Sequence, residues 1–492
     1  MQKKGKISSF IRTFISSFVL SASLISQSAF NQPVRAATGA YCRFSQEEIL
    51  TKEKLLKSFL EKKSQGYQQY KSLLQKHGQL LNQCRSQTWP KTQAIWLRLY
   101  PCDISPGSID YVLDRIVNLG YNQVNIEVLY DSQVLLPPAD NPTPWTPIVR
   151  SPGAENIDLL QQTIKKGRER GLKVYAWLFT MNFGYTYAQR ADRQEALARN
   201  GRGQNSLAVV HDRAQAFIDP YNRQAQIDYY RLVEAVRRRQ PDGVLFDYIR
   251  YPRGTGRQSL VSHVKDLWIY SPASTQALYE RAKNNKAAAL IERYLSRGHI
   301  TANDIAEIDL LYPEEDFPDW QGRRIDLSLD KQSPTILNSQ LWFLTVAHAA
   351  QGIIDFLSFA AAPLQNYNIP TGAVFFPGGN RLVGRGGFDS RLQAWDKFPA
   401  SMEWHPMAYA VCNGTSCITD QIKTVTKMAP AGTNVIPALA GAWGKTYNKH
   451  PSLEQQMAAL RQEVPQIDSV SHFAYSWIEP EIDRQRKFCN LQ

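Results

Sequence analysis

An α/β fold, a (β/α)8 TIM barrel with loop insertions and a short N-terminal helical segment, is predicted by three observations on the 492-residue chain. Eight compact apolar runs recur from residue 94 onward, each followed by a polar helical stretch, which is the pattern of βα units on a parallel sheet. The runs are apolar almost without interruption, as strands covered on both faces must be. No Gly-x-Gly-x-x-Gly turn follows the first run, which counts against an open doubly wound sheet.

Taken in order, residues 1–36 carry the ingredients of a secretory signal peptide. Lys3, Lys4 and Lys6 precede an apolar run from Phe14 to Phe30, and Val34 and Ala36 supply small residues at a cleavage site. A secreted or periplasmic location in the cell envelope follows, with no stable membrane span once the leader is removed. Residues 37–88 are polar and helix-favouring, with leucines in a loose helical rhythm (Leu55, Leu56, Leu73, Leu74, Leu80, Leu81), and read as a helical preface. The barrel occupies residues 89–492.

Its strands are expected at Ala94–Tyr100, Gln123–Tyr130, Lys173–Thr180, Gly243–Arg250, Ala373–Phe376, Trp404–Ala410, Val435–Ala440 and His472–Ile478. Helix candidates Ile109–Leu119, Ile157–Arg170 and Arg223–Arg239 lie between them, and Gly120 and Gly171 follow two of these as helix C-termini prefer. A barrel domain of about 400 residues exceeds the typical ~250, so it carries insertions. The largest spans about 252–334, with a short helix near Ala287–Ser296, and a helix at Ile336–Phe359 then returns to the barrel. The insertion is expected over the C-terminal mouth, where barrel enzymes keep their sites.

Composition narrows the function. Hydrophobic residues at 43% and charged residues at 21% exclude a mainly disordered chain. The formal charge is +13, and removing the leader's five basic residues leaves +8. The remaining basic residues are scattered apart from Arg237–Arg239, and no nucleic-acid partner is expected. Histidines lack metal-site spacing and no Gly-x-Ser-x-Gly elbow is present, so neither a metal nor an organic cofactor is expected. Six cysteines and no Cys-x-x-Cys suit disulfides. The expected pairs are Cys412–Cys417, Cys102–Cys489 and Cys42–Cys84, the last requiring a hairpin because one continuous helix would separate its ends by roughly 60 Å.

The richest segment is Asp242-Gly243-Val244-Leu245-Phe246-Asp247-Tyr248-Ile249-Arg250-Tyr251-Pro252, which puts a carboxylate at the end of the fourth strand. It resembles the signature of the glycosyl-hydrolase-like 10 domain family, TIM-barrel proteins related to retaining glycosidases. Ala94–Leu97, Gly171–Trp177, Pro406–Tyr409 and Ser476-Trp477 agree with that resemblance, which covers roughly residues 90–480. It implies a glycoside hydrolase acting on an envelope or extracellular polysaccharide, including peptidoglycan glycan strands.

Glycoside hydrolysis needs two carboxyl groups flanking the scissile bond. Asp247 is placed to act as nucleophile or base. The proton donor is expected to be Glu479, read as ending the eighth strand, or Glu127, whose alternation with Asn125 points it into the barrel unless it is only a buried partner of Arg98. Glu403 starts a strand and faces the opposite end. Arg250 is expected either to hold Asp247 ionised or to clamp a substrate carboxylate. Tyr248, Tyr251, Trp177, Asn182 and Trp477 complete the expected substrate-binding set. The alternative is a non-catalytic glycan-binding barrel with an aromatic groove and no working acid–base pair.

Overall fold

The computed structural model describes residues 41–491 except 62, 63, 131, 211, 213, 325–332 and 385, so the leader lies outside the described residues. Eight parallel strands form a closed barrel: β1 (Thr92–Leu97), β2 (Gln123–Tyr130), β3 (Lys173–Phe179), β4 (Gly243–Asp247), β5 (Thr371–Phe375), β6 (Glu403–Ala408), β7 (Ala438–Ala440) and β8 (Ser469–Phe473). Each strand pairs with its sequence neighbours, and β1 closes the ring by pairing with both β2 and β8.

Alternation sorts each strand into two faces. Ile95, Leu97, Val124, Ile126, Val174, Ala176, Val244 and Phe246 point outward and are sealed by surrounding helices. Trp96, Tyr175, Trp177, Leu245, Val374 and Met407 point inward and fill the barrel. Gly243 permits this filling, because a Cβ there would lie 2.4 Å from the Tyr175 ring. The helices follow from their caps: Asp158 accepts from Gln161 N–H to start Leu159–Arg168, and Asn222 accepts from Ala225 N–H to start Arg223–Arg238. Gly120 and Gly171 take the left-handed conformation after two helices, at φ +85° and +71°.

Three boundaries differ from expectation. β4 ends at Asp247 rather than Arg250, because Tyr248 adopts φ +53° and breaks the extended run. β8 ends at Phe473, and Tyr475–Ile478 coils into a helical turn, which carries Glu479 away from the strand end. The insertion holds three helices, Pro272–Tyr279, Asn285–Arg297 and Ala302–Leu311, rather than one. It joins the loops after β3 and β5: Tyr270 N–H donates to Arg199 O, and Leu260–Val261 pairs antiparallel with Gly387–Asp389. The helix Pro334–Gln365 is also long and apolar enough to cross a membrane, a property the sequence reading gave only to the leader. Here it lies against the barrel helix Arg223–Arg238, with Phe356 5.4 Å from Tyr229.

Helices Gln46–Leu60 and Ser64–Gln87 form the hairpin that the Cys42–Cys84 disulfide requires. Cys102–Cys489 and Cys412–Cys417 are also bonded. The hairpin is clasped to the barrel by a buried polar cluster. Arg170 Nε donates to Asp114 Oδ1 at 2.8 Å and Nη2 to Asp110 Oδ1 at 2.9 Å, while Tyr70 Oη donates to Asp114 Oδ2 at 2.8 Å. Replacing Arg170 with Met leaves Asp110 with only Lys166 and Asp114 with only the Tyr70 hydroxyl, so we expect a loss of about 3 kcal/mol in urea unfolding, with the barrel intact at low denaturant. A loss near zero would remove the clasp from this account.

Candidate active site

Strand ends place the candidate site. A cavity of about 280 Å³ opens at the C-terminal mouth of the barrel, and its lining includes Glu127, Asp212, Asp247 and Arg250. Trp96 and Trp177, 4.9 Å apart edge to face, form its floor, and Phe179, Tyr248, Phe376, Tyr409 and Phe473 its walls. A larger groove of about 380 Å³ lies between the N-terminal hairpin and the C-terminus, but it holds a single acid, Glu53, and none of the strand-end residues.

Asp247 is 6 % exposed and its carboxylate has two donors. Tyr248 N–H donates to Oδ1 at 2.6 Å and Trp177 Nε1–H to Oδ2 at 3.1 Å. These bonds and the nearby Arg250 charge favour the ionised form, yet burial outweighs them and pushes the carboxyl up to about 6. Arg250 thus acts on Asp247 in the expected direction, and desolvation is the larger effect. The left-handed Tyr248, its ring tilted against Phe179 at 4.2 Å, holds its own N–H on the carboxylate, at a backbone cost of roughly 1–2 kcal/mol.

Glu127 sits two strands away and is 1 % exposed. It is in register with Trp177, while Asp247 is in register with Phe179, so Asp247 stands two residues higher in the barrel. Arg98 forks onto Glu127, with Nε on Oε2 and Nη2 on Oε1 at 3.2 Å, and its guanidinium lies 4.0 Å over the Tyr130 ring. Glu127 thus has the arginine partner the sequence suggested and also lines the cavity.

Glu479 does not join this group. It accepts from Arg115 at 2.8 Å on the outer helix Ser108–Asn118, which corrects its reading as a proton donor on the catalytic face. Tyr251 is fully buried outside the cavity, its N–H donating to Arg391 O. Asn182 is also buried and accepts from Ala216 N–H at 3.0 Å, so it shapes a loop. Trp477 stands behind Phe473 at 6.0 Å and does not line the cavity. Trp177, Tyr248 and Arg250 do line it. Asp212, in the loop after β3, was not singled out from the sequence. Both of its oxygens accept from its own loop, from Ala214 N–H and Gln215 Nε2. Among the described residues, the insertion 252–334 contributes none to the lining. Among the described residues no cluster of metal-ligating side chains is present.

No family model matches the chain, and no curated protein matches it. Solved structures similar to it include a cold-adapted beta-galactosidase from Rahnella sp. R3, at 10% identity and TM-score 0.45, over 81% of this chain and 55% of that one. A GH18 chitinase from Pseudoalteromonas aurantia aligns at 10% identity and TM-score 0.35, over 81% and 99%. A spore cortex-lytic enzyme from Bacillus megaterium aligns at 9% and 0.36, over 82% and 74%. The chain thus spans about half the length of the galactosidase. Likeness at this level transfers no activity, and the barrel assignment rests on the strand order itself.

Asp247 links the site to stability. Its folded value of about 6 lies above its ordinary 3.8, so the native state holds the proton more tightly than the unfolded chain. That contribution is fully present below pH 4 and is lost as pH rises through 6, by about 3 kcal/mol. Asp219, also pushed up to about 6 by burial, adds a slope of the same sign. Buried His77, His348 and His472, each held down to about 3, act with the opposite sign, so the test is the difference between proteins: in urea unfolding from pH 4 to 8 the stability of the wild type relative to Asp247→Asn should fall. Equal slopes in both proteins would contradict the burial argument.

Proposed function

We propose that this chain hydrolyses glycosidic bonds, with Asp247 as proton donor and Glu127 as its anionic partner. The observation that carries this is two inward carboxyl groups in contrasting environments within one aromatic-lined cavity: Asp247 desolvated, Glu127 bound by a guanidinium. Environments that push two carboxyls apart in proton affinity define acid and base roles. Asp247 gives its proton to the leaving oxygen as the C1–O bond breaks, Glu127 faces the positive charge growing at C1, and a water then forms the new C1–O bond and returns a proton to the Asp247 carboxylate. Arg98 positions Glu127. The roles are the reverse of those read from the sequence, because burial acts on Asp247 and ion pairing on Glu127.

The substrate is an envelope or extracellular polysaccharide, including peptidoglycan glycan strands. The family resemblance around Asp247, the leader-like N-terminus and the three disulfides support it. Secretion into the envelope is part of the same reading. The cavity's aromatic walls suit the apolar faces of sugar rings.

Purified protein should be screened on peptidoglycan strands, chitin oligomers and neutral polysaccharides, with products read by mass spectrometry. On the cleaved substrate, Asp247→Asn and Glu127→Gln should each lower kcat by about 10²–10⁴. Asp247→Asn should spare activated aryl glycosides, whose leaving groups need no proton. In the wild type kcat/KM should fall as pH rises through about 6, where Asp247 loses its proton. Unchanged cleavage in Asp247→Asn would show the site to be wrong. Binding without cleavage of any glycan would favour the non-catalytic glycan-binding barrel.

A further inference from the structure

Six arginines are buried among the described residues: Arg85, Arg170, Arg239, Arg250, Arg391 and Arg486. Arg170, Arg239, Arg391 and Arg486 each meet a carboxylate. Arg85 instead donates to the carbonyls of Gly120, Pro90 and Tyr41 through all three nitrogens. Arg250 follows neither rule. It is 5 % exposed, and among the described residues it forms no salt bridge and makes one side-chain hydrogen bond, from Nη1 to Tyr251 O at 3.0 Å. Arg250 lines the cavity beside Asp247.

Such a guanidinium is costly to bury unless something arrives to pair with it. The neighbouring acids are engaged elsewhere. Asp247 takes its donors from Tyr248 and Trp177, and Asp212 is turned into its own loop. The rings of Tyr248, Phe217 and Phe376 lie 4.6, 5.4 and 5.7 Å from the guanidinium carbon. These walls exclude water, which strengthens any charge-assisted bond made there. Arg391 and Arg253 are close enough to oppose Arg250's charge, and the same positive potential favours an incoming anion.

We infer that Arg250 forms an anion-recognition subsite beside Asp247, and that the sugar bound there carries a carboxylate. The carboxylate is the C6 group of a uronic acid or the acid of a lactyl ether; both present the planar pair of oxygens that a guanidinium fork matches. This rests on the glycosidase reading for the sugar, and on Arg250 alone for the charge.

Binding is measured calorimetrically on Asp247→Asn, so that no turnover intervenes. The probes are a galacturonic acid trisaccharide and N-acetylmuramic acid, each against its own methyl ester. At least one acid should bind roughly tenfold or more tightly than its ester, and the pair showing the gap identifies the carboxylate source. Adding Arg250→Met should erase the gap; adding Arg250→Lys should keep part of it. If the Met variant fails to fold, the acid-against-ester comparison and the Lys variant decide. Equal binding of acid and ester, or a gap that survives loss of Arg250, would overturn the inference. Cleavage of neutral glycans without acid preference would sink this subsite and leave hydrolysis standing. Acid preference without cleavage of any glycan would do the reverse.

Discussion

A closed barrel of eight strands has to be filled by its own side chains, and that constraint governs the rest of the molecule. Here the filling is aromatic. Trp96 is anchored by its Nε1–H on Ser471 Oγ at 3.0 Å, and its ring meets Trp177 edge to face. Below them Tyr175 donates to Glu403, which also pairs with His405. The plug stops at Trp177, whose free edge carries the N–H that Asp247 accepts. One residue therefore serves as the top of the packing and as a partner in the site. The same packing denies Asp247 water, which is why two hydrogen bonds and a nearby arginine do not keep its carboxyl in the ordinary range.

The rim depends on distant parts of the chain. Arg486, near the C-terminus, donates to Arg98 O at 2.9 Å and pairs with Asp103 at 2.6 Å, while Cys102–Cys489 closes the same corner. That latch fixes the backbone of the arginine that holds Glu127. On the opposite side the insertion is tied to the loop after β3 through Asp219, which accepts from Ser271 Oγ and Ser274 N–H. The wall carrying Asp212 thus stands on a braced loop, although no described residue of the insertion lines the cavity.

Much of this was legible in the sequence. Strands covered on both faces leave uninterrupted apolar runs, so all eight were located, and alternation placed Glu127 inward. The motif around Asp247 marked the mouth. What failed did so for physical reasons. The run His472–Ile478 is as compatible with a strand turning into a helix as with one long strand, and that ambiguity misplaced Glu479. Tyr251 and Asn182 follow strand ends, but the left-handed turn at Tyr248 and the bridge from Asn182 to Phe217 direct them into packing. Asp212 belongs to an irregular loop with no periodicity to read. The protonation of Asp247 depends on neighbours far along the chain, Trp177 and Tyr409 among them, and no local pattern encodes it.

The central claim is that burial by the aromatic plug raises the proton affinity of Asp247, so that its carboxyl titrates near pH 6 and not in the ordinary carboxylate range. Titration of its carboxyl carbon by ¹³C NMR, with aspartate-selective labelling and Asp247→Asn to assign the signal, tests this most directly. The account predicts a midpoint of about 6. A midpoint at the ordinary carboxylate value near 4 would contradict it, because Asp247 would then be an anion at the mouth and not a proton donor.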